Sequence, residues 1–263
     1  MPELPEVESF KRFIDRTSLG KPIESVKLAA PNMLLNTTAR KLSAVLRGNA
    51  FVSTFRHGKF LFIKLFNEGN LLLHFGLTGD LEFTASGEAA PKKYALRFHF
   101  QDDTTLYFTD TRKMGKIALV DDVDSFIQER KYGPDALKIS KDEFLNRVDS
   151  RKVAIKTVLM DQKVLAGVGN EFSDEVLFQS RIHPQSRTSA LSKKQLLKIY
   201  DNMLSTLEES VRNNADREKL NHYFFLDNRK AGLACPRCKK KTAFETIGGR
   251  SSYFCPSCQK LYE

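Results

Sequence analysis

Four cysteines gathered near one end of a 263-residue chain have a spacing with a definite chemistry. Cys235-Pro236-Arg237-Cys238 is followed, after sixteen residues, by Cys255-Pro256-Ser257-Cys258. Two such knuckles place four thiolates at the tips of two hairpins, where they close a tetrahedron around zinc. Four thiolates leave no open position for water, so this zinc is structural, and binding it supplies the folding energy of a ribbon too small for its own core. A redox dithiol pair is the competing reading, and it needs a βαβ context that the surrounding sequence lacks.

The second reactive group stands at the start, Met1-Pro2-Glu3. A small residue after an initiator methionine normally becomes the mature first residue, which gives Pro2 a free secondary amine. An α-amino group titrates near ~8 against ~10.4 for lysine, so much of it is neutral and nucleophilic at physiological pH. Attack of such an amine on a sugar C1′ gives a permanently cationic iminium. That cation acidifies the C2′ proton and promotes loss of a 3′-phosphate. Glu3, next in line, can move a proton at the sugar ring oxygen. Taken alone, the tripeptide is also a common way to begin a helix.

The charge balance agrees with a polyanionic partner. The chain carries 42 Lys+Arg against 32 Asp+Glu, a net charge of +10, which attracts nucleic acid above other partners. Residues 220–263 hold eight Lys/Arg against three Asp/Glu, so half of the net charge sits around the cysteines. The first eight residues are acidic where a signal peptide needs positive charge, and no apolar run reaches membrane-spanning length. The expectation is an intracellular monomer of the cytoplasm or nucleoid, with no membrane association.

These groups need elements to hold them. Val7, Phe10 and Ile14 recur at helical spacing between Pro5 and about Ser18. From Ile23 to Val120 the pattern turns to short apolar runs. Phe60–Phe66 and Leu71–Phe75 read as strands covered on both faces, joined by a hairpin turn at Asn67-Glu68-Gly69-Asn70. Leu96, Phe98 and Phe100 alternate with Arg97 and His99 as a half-exposed strand does, with a turn at Gln101–Thr104. The first 120 residues therefore predict a helix followed by a β-sandwich or barrel. Tyr132-Gly133-Pro134-Asp135 breaks the pattern, and helices follow at about 141–148, 151–162, 170–180 and 192–212. Asn170 is placed to cap the third of these.

The motifs, taken in order, resemble the Fpg/Nei family, and its formamidopyrimidine-DNA glycosylase (Fpg/MutM) branch in particular. Pro2-Glu3-Leu4-Pro5-Glu6-Val7-Glu8 is similar to that branch's opening. Arg56-His57-Gly58-Lys59-Phe60-Leu61 resembles its lysine-bearing turn, and His74-Phe75-Gly76-Leu77-Thr78-Gly79 its His-Leu-Gly-Met-Ser-Gly loop. Thr109-Asp110-Thr111-Arg112-Lys113-Met114-Gly115 matches Thr-Asp-Pro-Arg-Arg-Phe-Gly. Tyr132–Leu137 falls where the family has its linker. Arg151–Lys156, Leu159–Gln162 and Gly167-Val168-Gly169-Asn170 resemble its helix–two-turn–helix element, and Gly249–Cys255 its zinc-finger arginine hairpin.

The resemblance implies an α+β architecture: an N-terminal helix and β-sandwich domain over 1–130, a hinge at 131–137, a helix–two-turn–helix domain over 138–231 and a zinc-finger hairpin over 232–263. It implies a bifunctional DNA glycosylase and abasic-site lyase acting on damaged duplex DNA, with Pro2 as nucleophile, Glu3 as acid/base and Lys59 serving catalysis and phosphate contact. His74, Lys156, Asn170 and Arg250 would bind DNA, and Leu77, Arg112 and Met114 would fill the void left by a flipped nucleotide. Cys235, Cys238, Cys255 and Cys258 would hold the one structural Zn2+. Plainer roles compete: His74 as a half-buried strand histidine, Lys59 and Lys156 as surface lysines, Asn170 as a helix cap.

Two positions depart from the family pattern. Leu77 and Met114 stand where the family has Met and Phe, so an aromatic wedge gives way to side chains that fill volume without stacking. The stretch from about Asn213 to Gly232 is shorter than the segment that caps 8-oxoguanine in the family, which favours oxidised pyrimidines or ring-opened purines. A non-catalytic, lesion-sensing DNA-binding protein on the same scaffold is the rival function. A zinc-ribbon transcription or RNA-binding factor would leave the first 130 residues without a purpose.

Overall fold

The computed structural model describes residues 2–149 and 151–263. The described residues form two compact units: 6–130 with Pro2, and 131–263 with Glu3–Pro5.

From Glu6 onward helix α1 (Leu4–Thr17) belongs to the first unit, where it turns Val7 and Ile14 into a buried core. Eight strands follow: β1 (Ile23–Leu28), β2 (Phe51–His57), β3 (Phe60–Leu65), β4 (Asn70–His74), β5 (Gly79–Thr84), β6 (Leu96–Phe100), β7 (Thr105–Asp110) and β8 (Lys116–Val120). They form two four-stranded sheets with the orders β1-β6-β7-β5 and β2-β3-β4-β8, and every pairing in them is antiparallel. One core receives Phe98, Phe100 and Phe108 from the first sheet and Leu61, Ile63, Leu71 and Leu73 from the second, which is a β-sandwich.

The continuous apolar run of β3 has a direct cause. Leu61, Ile63 and Leu65 face the sandwich core, while Phe62 faces outward and is buried. Phe126 of a short helix, α3 (Val123–Glu129), stands edge-on to it with ring centroids 5.7 Å apart. The alternating strand at 96–100 is β6, with Leu96, Phe98 and Phe100 buried and Arg97 and His99 half-buried. Two helices of this unit lie outside the sequence reading: α3, and α2 (Ala39–Leu46), capped by the Thr38 hydroxyl and burying Leu42 and Leu46.

The second unit is helical up to the cysteines. Its helices are α4 (Lys141–Asp149), α5 (Ile155–Met160), α6 (Asn170–Ser180) and α7 (Lys193–Arg212). Helix α6 is buried on every side from Phe172 to Phe178, so it is the spine against which the rest packs. A Ser192–Gln195 capping box starts α7, whose Leu196, Ile199, Met203 and Leu207 are buried. Helix α5 is shorter than the expected 151–162. Ala154 pairs with Arg187 in an isolated bridge, so the backbone before Ile155 is extended rather than helical. The chain around Pro134 is bonded into this unit: Gly133 N–H donates to Gln162 O and Ala136 N–H to Ala166 O. The C-terminal ribbon is an antiparallel hairpin, β9 (Ala243–Ile247) and β10 (Arg250–Phe254). No helix among the described residues is long and apolar enough to cross a membrane.

Candidate active site and zinc centre

The four Sγ atoms of Cys235, Cys238, Cys255 and Cys258 lie within 4.8 Å of one another. Two of the separations are 3.5 Å (Cys238–Cys255) and 3.9 Å (Cys235–Cys258). Zinc–thiolate bonds of about 2.3 Å put tetrahedral sulfurs about 3.8 Å apart, so the quartet is gathered at close to the spacing Zn2+ requires. The backbone shapes each knuckle: Lys239 N–H donates to Cys235 O, and Cys258 and Gln259 N–H donate to Cys255 O. Arg237, between the first two cysteines, donates to Phe178 O and Gln179 Oε1, so the knuckle grips the C-terminal end of α6.

The other end of α6 is held by the beginning of the chain. The Glu3 carboxylate accepts from Gly169 N–H at 2.6 Å, Glu171 N–H at 2.8 Å and Phe172 N–H at 3.3 Å. A helix N-terminus leaves such donors unpaired and carries partial positive charge, so a carboxylate from 166 residues away is well matched to it. Leu4 N–H donates to Gly167 O and extends the attachment. Gly167 has φ of +117°, and a Cβ there would lie 2.5 Å from a Leu4 methyl, so only glycine allows this approach. Glu3 is buried and thereby fixes the residue bonded to Pro2, which is half-buried. Met1, whose removal the amine chemistry needs, lies outside the described residues.

The cap expected from Asn170 is thus supplied by Glu3. Gly169 takes the N-cap position and Asn170 the first helical one. The Asn170 Oδ1 is buried with no hydrogen-bond partner among the described residues.

Lys156 departs further from expectation. It is wholly buried rather than a surface lysine, and its Nζ donates to Asp174 Oδ1 at 2.6 Å and to Ser251 O at 2.9 Å. With the β10 backbone over it, it offers no face to a phosphate. Arg250 is exposed at the start of β10, after a two-residue turn in which Gly248 and Gly249 have φ of +56° and +73°. Such a turn is nearly closed to residues with a Cβ.

In the first unit the β2–β3 turn carries Lys59. Arg56 props it from beneath, donating to Glu8 at 2.7 Å and to Gly58 O at 3.1 Å. His74 ends β4 opposite Phe60, with ring centroids 5.0 Å apart. Burial, then the charges of Lys59 and Lys116, lower the His74 pKa to about 4, so its ring is neutral at pH 7. Gly76 N–H donates to His74 Nδ1 at 3.3 Å, which places the ring proton on Nε2 as a donor.

Leu77, Arg112 and Met114 belong to two adjoining loops organised by Asp110. That carboxylate accepts from the Thr78 hydroxyl (2.5 Å), Arg112 N–H (3.1 Å) and Gly115 N–H (2.8 Å). A Cβ on Gly76 would lie 2.6 Å from Gly115 N, so the loops touch backbone to backbone. Arg112 and Met114 are exposed and Leu77 is half-buried. Sequence reasoning quoted Asp110 inside a motif without seeing that it builds these loops. It missed Asp174 and Arg229 altogether, since one buried carboxylate on a helix and one arginine in a basic segment give no signal of meeting.

Three family descriptions match successive stretches of the chain. They are a formamidopyrimidine-DNA glycosylase N-terminal domain over residues 1–117, a formamidopyrimidine-DNA glycosylase H2TH domain over 132–221, and a zinc finger found in FPG and IleRS over 232–261. The chain belongs to the formamidopyrimidine-DNA glycosylase family. A formamidopyrimidine-DNA glycosylase of Arabidopsis thaliana is 34% identical over 100% of this chain and 72% of its own length. One from Pelotomaculum thermopropionicum is 31% identical over 99% of this chain and 100% of its own length. The Lactococcus lactis formamidopyrimidine-DNA glycosylase, solved non-covalently bound to DNA containing an AP site, is similar with a TM-score of 0.88 at 27% identity. That match covers 98% of this chain and 100% of the other. As in the finger description of the formamidopyrimidine-DNA glycosylase family, the cysteine quartet is the seat of one structural zinc.

Proposed function

We propose that this protein is a DNA glycosylase with an associated abasic-site lyase activity, using the Pro2 amine as nucleophile on damaged duplex DNA. The observation that carries the reading is the seating of Glu3 on three N–H groups of the α6 terminus. It fixes a carboxylate beside the one backbone nitrogen able to become a free secondary amine. Relatives named formamidopyrimidine-DNA glycosylase, and a structural neighbour solved with AP-site DNA, support the same reading.

In this mechanism the Pro2 nitrogen attacks C1′ and the C1′–base bond breaks, with the base leaving as its electron pair is protonated. Glu3 moves the proton at the ring oxygen, which opens the sugar to an iminium. Loss of the C2′ proton expels the 3′-phosphate, a second elimination expels the 5′-phosphate, and hydrolysis returns the amine. Lys59, His74, Asn170 and Arg250 hold phosphates around the extruded nucleotide. His74 does so as a neutral Nε2–H donor. Leu77, Arg112 and Met114 occupy the gap in the stack. The zinc takes no part in the chemistry and holds Arg250 in place.

The shortness of the stretch from about Asn213 to Gly232 argues for oxidised pyrimidines or for ring-opened purines rather than 8-oxoguanine. Asn221 N–H bonds Glu209, Gln179 bonds Tyr223 O and Phe225 N–H bonds Glu175, which ties the segment to α6 and α7.

Borohydride trapping tests the reading. Protein verified to begin at Pro2 is incubated with an abasic-site duplex, and a covalent adduct at Pro2 is expected on reduction, absent when Met1 is retained. Tight binding without an adduct would overturn the catalytic reading in favour of a lesion-sensing DNA binder.

A further inference from the structure

Beneath the surface that carries Asn170 and Arg250 lies a cluster of charges that the proposed chemistry does not use. Asp174, one turn into α6, is wholly buried. Its carboxylate accepts from Lys156 Nζ at 2.6 Å, from Arg229 Nε and Nη2 at 3.0 and 2.9 Å, and from Tyr253 N–H at 3.1 Å. Arg229 also donates to Asn170 O at 3.3 Å, lies 3.5 Å from Glu171 Oε1, and stands over the Tyr253 ring at 5.3 Å. Lys156 ties in the Ser251 carbonyl. At the hairpin tip, a Cβ on Gly248 would lie 2.8 Å from Thr157 Oγ1 of α5. Four separate stretches (α5, the first turn of α6, the segment after α7, and β10) thus converge on one carboxylate.

Burying charged groups costs so much that a well-packed apolar set is often at least as stable, so stability is a weak reason for such a cluster. What it provides is orientation, because Arg229 Nε and Nη2 and the Tyr253 N–H converge on Oδ2 while Lys156 holds Oδ1, so both carboxylate oxygens are pinned. We infer that Arg229 and Asp174 are positioning residues, locking the β9–β10 hairpin to the first turn of α6 so that Arg250 and Asn170 present their side chains to the DNA backbone as one pre-set grip. The inference rests on the phosphate-binding roles proposed above. Burial raises the Asp174 pKa and lowers that of Lys156, while each partner's charge opposes the shift, as expected of a pair that depends on its own geometry.

The test is a double-mutant cycle on the zinc-loaded, full-length protein. Binding to a duplex with a stable abasic analogue is measured by fluorescence anisotropy for Arg229→Lys, Arg250→Ala and the double variant. Arg229→Lys keeps the charge and loses the planar fork. It is expected to weaken binding about tenfold in the otherwise native protein and less than twofold in the Arg250→Ala background, with zinc content unchanged. An equal loss in both backgrounds would show that Arg229 does not act through Arg250 and would overturn the inference alone. If Arg250→Ala binds as tightly as the native protein, the phosphate role of Arg250 falls and this inference falls with it. Lys156→Met, which leaves Asp174 paired with Arg229, reads the same coupling from the opposite side. If Arg229→Lys does not fold, a loss on Lys156→Met that shrinks in the Arg250→Ala background supports the inference and full additivity overturns it.

Discussion

At the scale of single residues, His74 shows how a chemical role can be set by cost. Its ring sits where burial and two lysines all disfavour the proton, so it offers a neutral donor rather than a charged one. The same arrangement makes the first unit sensitive to acid. The folded pKa of about 4 lies below the ordinary 6.5, so the unfolded chain binds the extra proton first as the pH falls. The stability is complete above pH 6.5 and is lost as the pH drops toward 4, by on the order of 3 kcal/mol over that window. Urea unfolding at pH 4.5 and pH 7 should show this difference for the native protein and a much smaller one for His74→Asn. An equal difference in both would remove His74 as its source.

Elements were legible where local pattern decides them. The helical spacing of Val7 and Ile14, the alternation at 96–100 and the spacing of the cysteines each report a periodicity or a ligand geometry. Helix α2 was hidden because eight residues with two buried leucines do not stand out within a β-rich stretch. Phe126 of α3 gains its meaning only from Phe62, which is far away in sequence. The site divides in the same way. Motif matches singled out Pro2, Glu3, Lys59 and Arg250, but not that Glu3 would cap α6 or that Lys156 would be buried, since both depend on long-range packing. The ribbon is the element with least core of its own: Cys235 and Cys255 are buried with Phe178 and Phe225, and little else. Removing zinc, by a chelator or by Cys258→Ser, should unfold β9–β10 and weaken DNA binding at least tenfold while the β-sandwich remains folded. Metal release followed against circular dichroism and anisotropy checks it, and undiminished DNA binding by metal-free protein would refute the bracing role.

For the molecule as a whole, the two units are expected to answer pH in opposite directions. Glu175, at the centre of α6, has its pKa pushed up to about 7 by burial, against hydrogen bonds from Gln179, Phe225 and Leu226 and the charge of Arg237. Its folded pKa lies above the ordinary 4.5, so the folded state holds the proton that the unfolded chain gives up. That contribution is full below pH 4.5 and is lost as the pH rises through 7, again on the order of 3 kcal/mol. Rising pH thus strengthens the unit that contains His74 and weakens the unit that contains Glu175. Opening free energies from hydrogen exchange at pH 5 and 7.5 should move in opposite senses in the two units. Glu175→Gln should flatten the response of residues 131–263 and leave that of 6–130 unchanged.

The cap of α6 has a consequence for the order in which the protein is made. Glu3 leaves the ribosome well before the helix it completes, which follows 166 residues later, a lag on the order of ten to thirty seconds at ordinary synthesis rates. During that interval the β-sandwich can close, but the start of the chain must stay free to meet a partner not yet synthesised. A leader or tag left on the N-terminus would therefore be felt in the helical half of the protein, the half farthest from it along the chain.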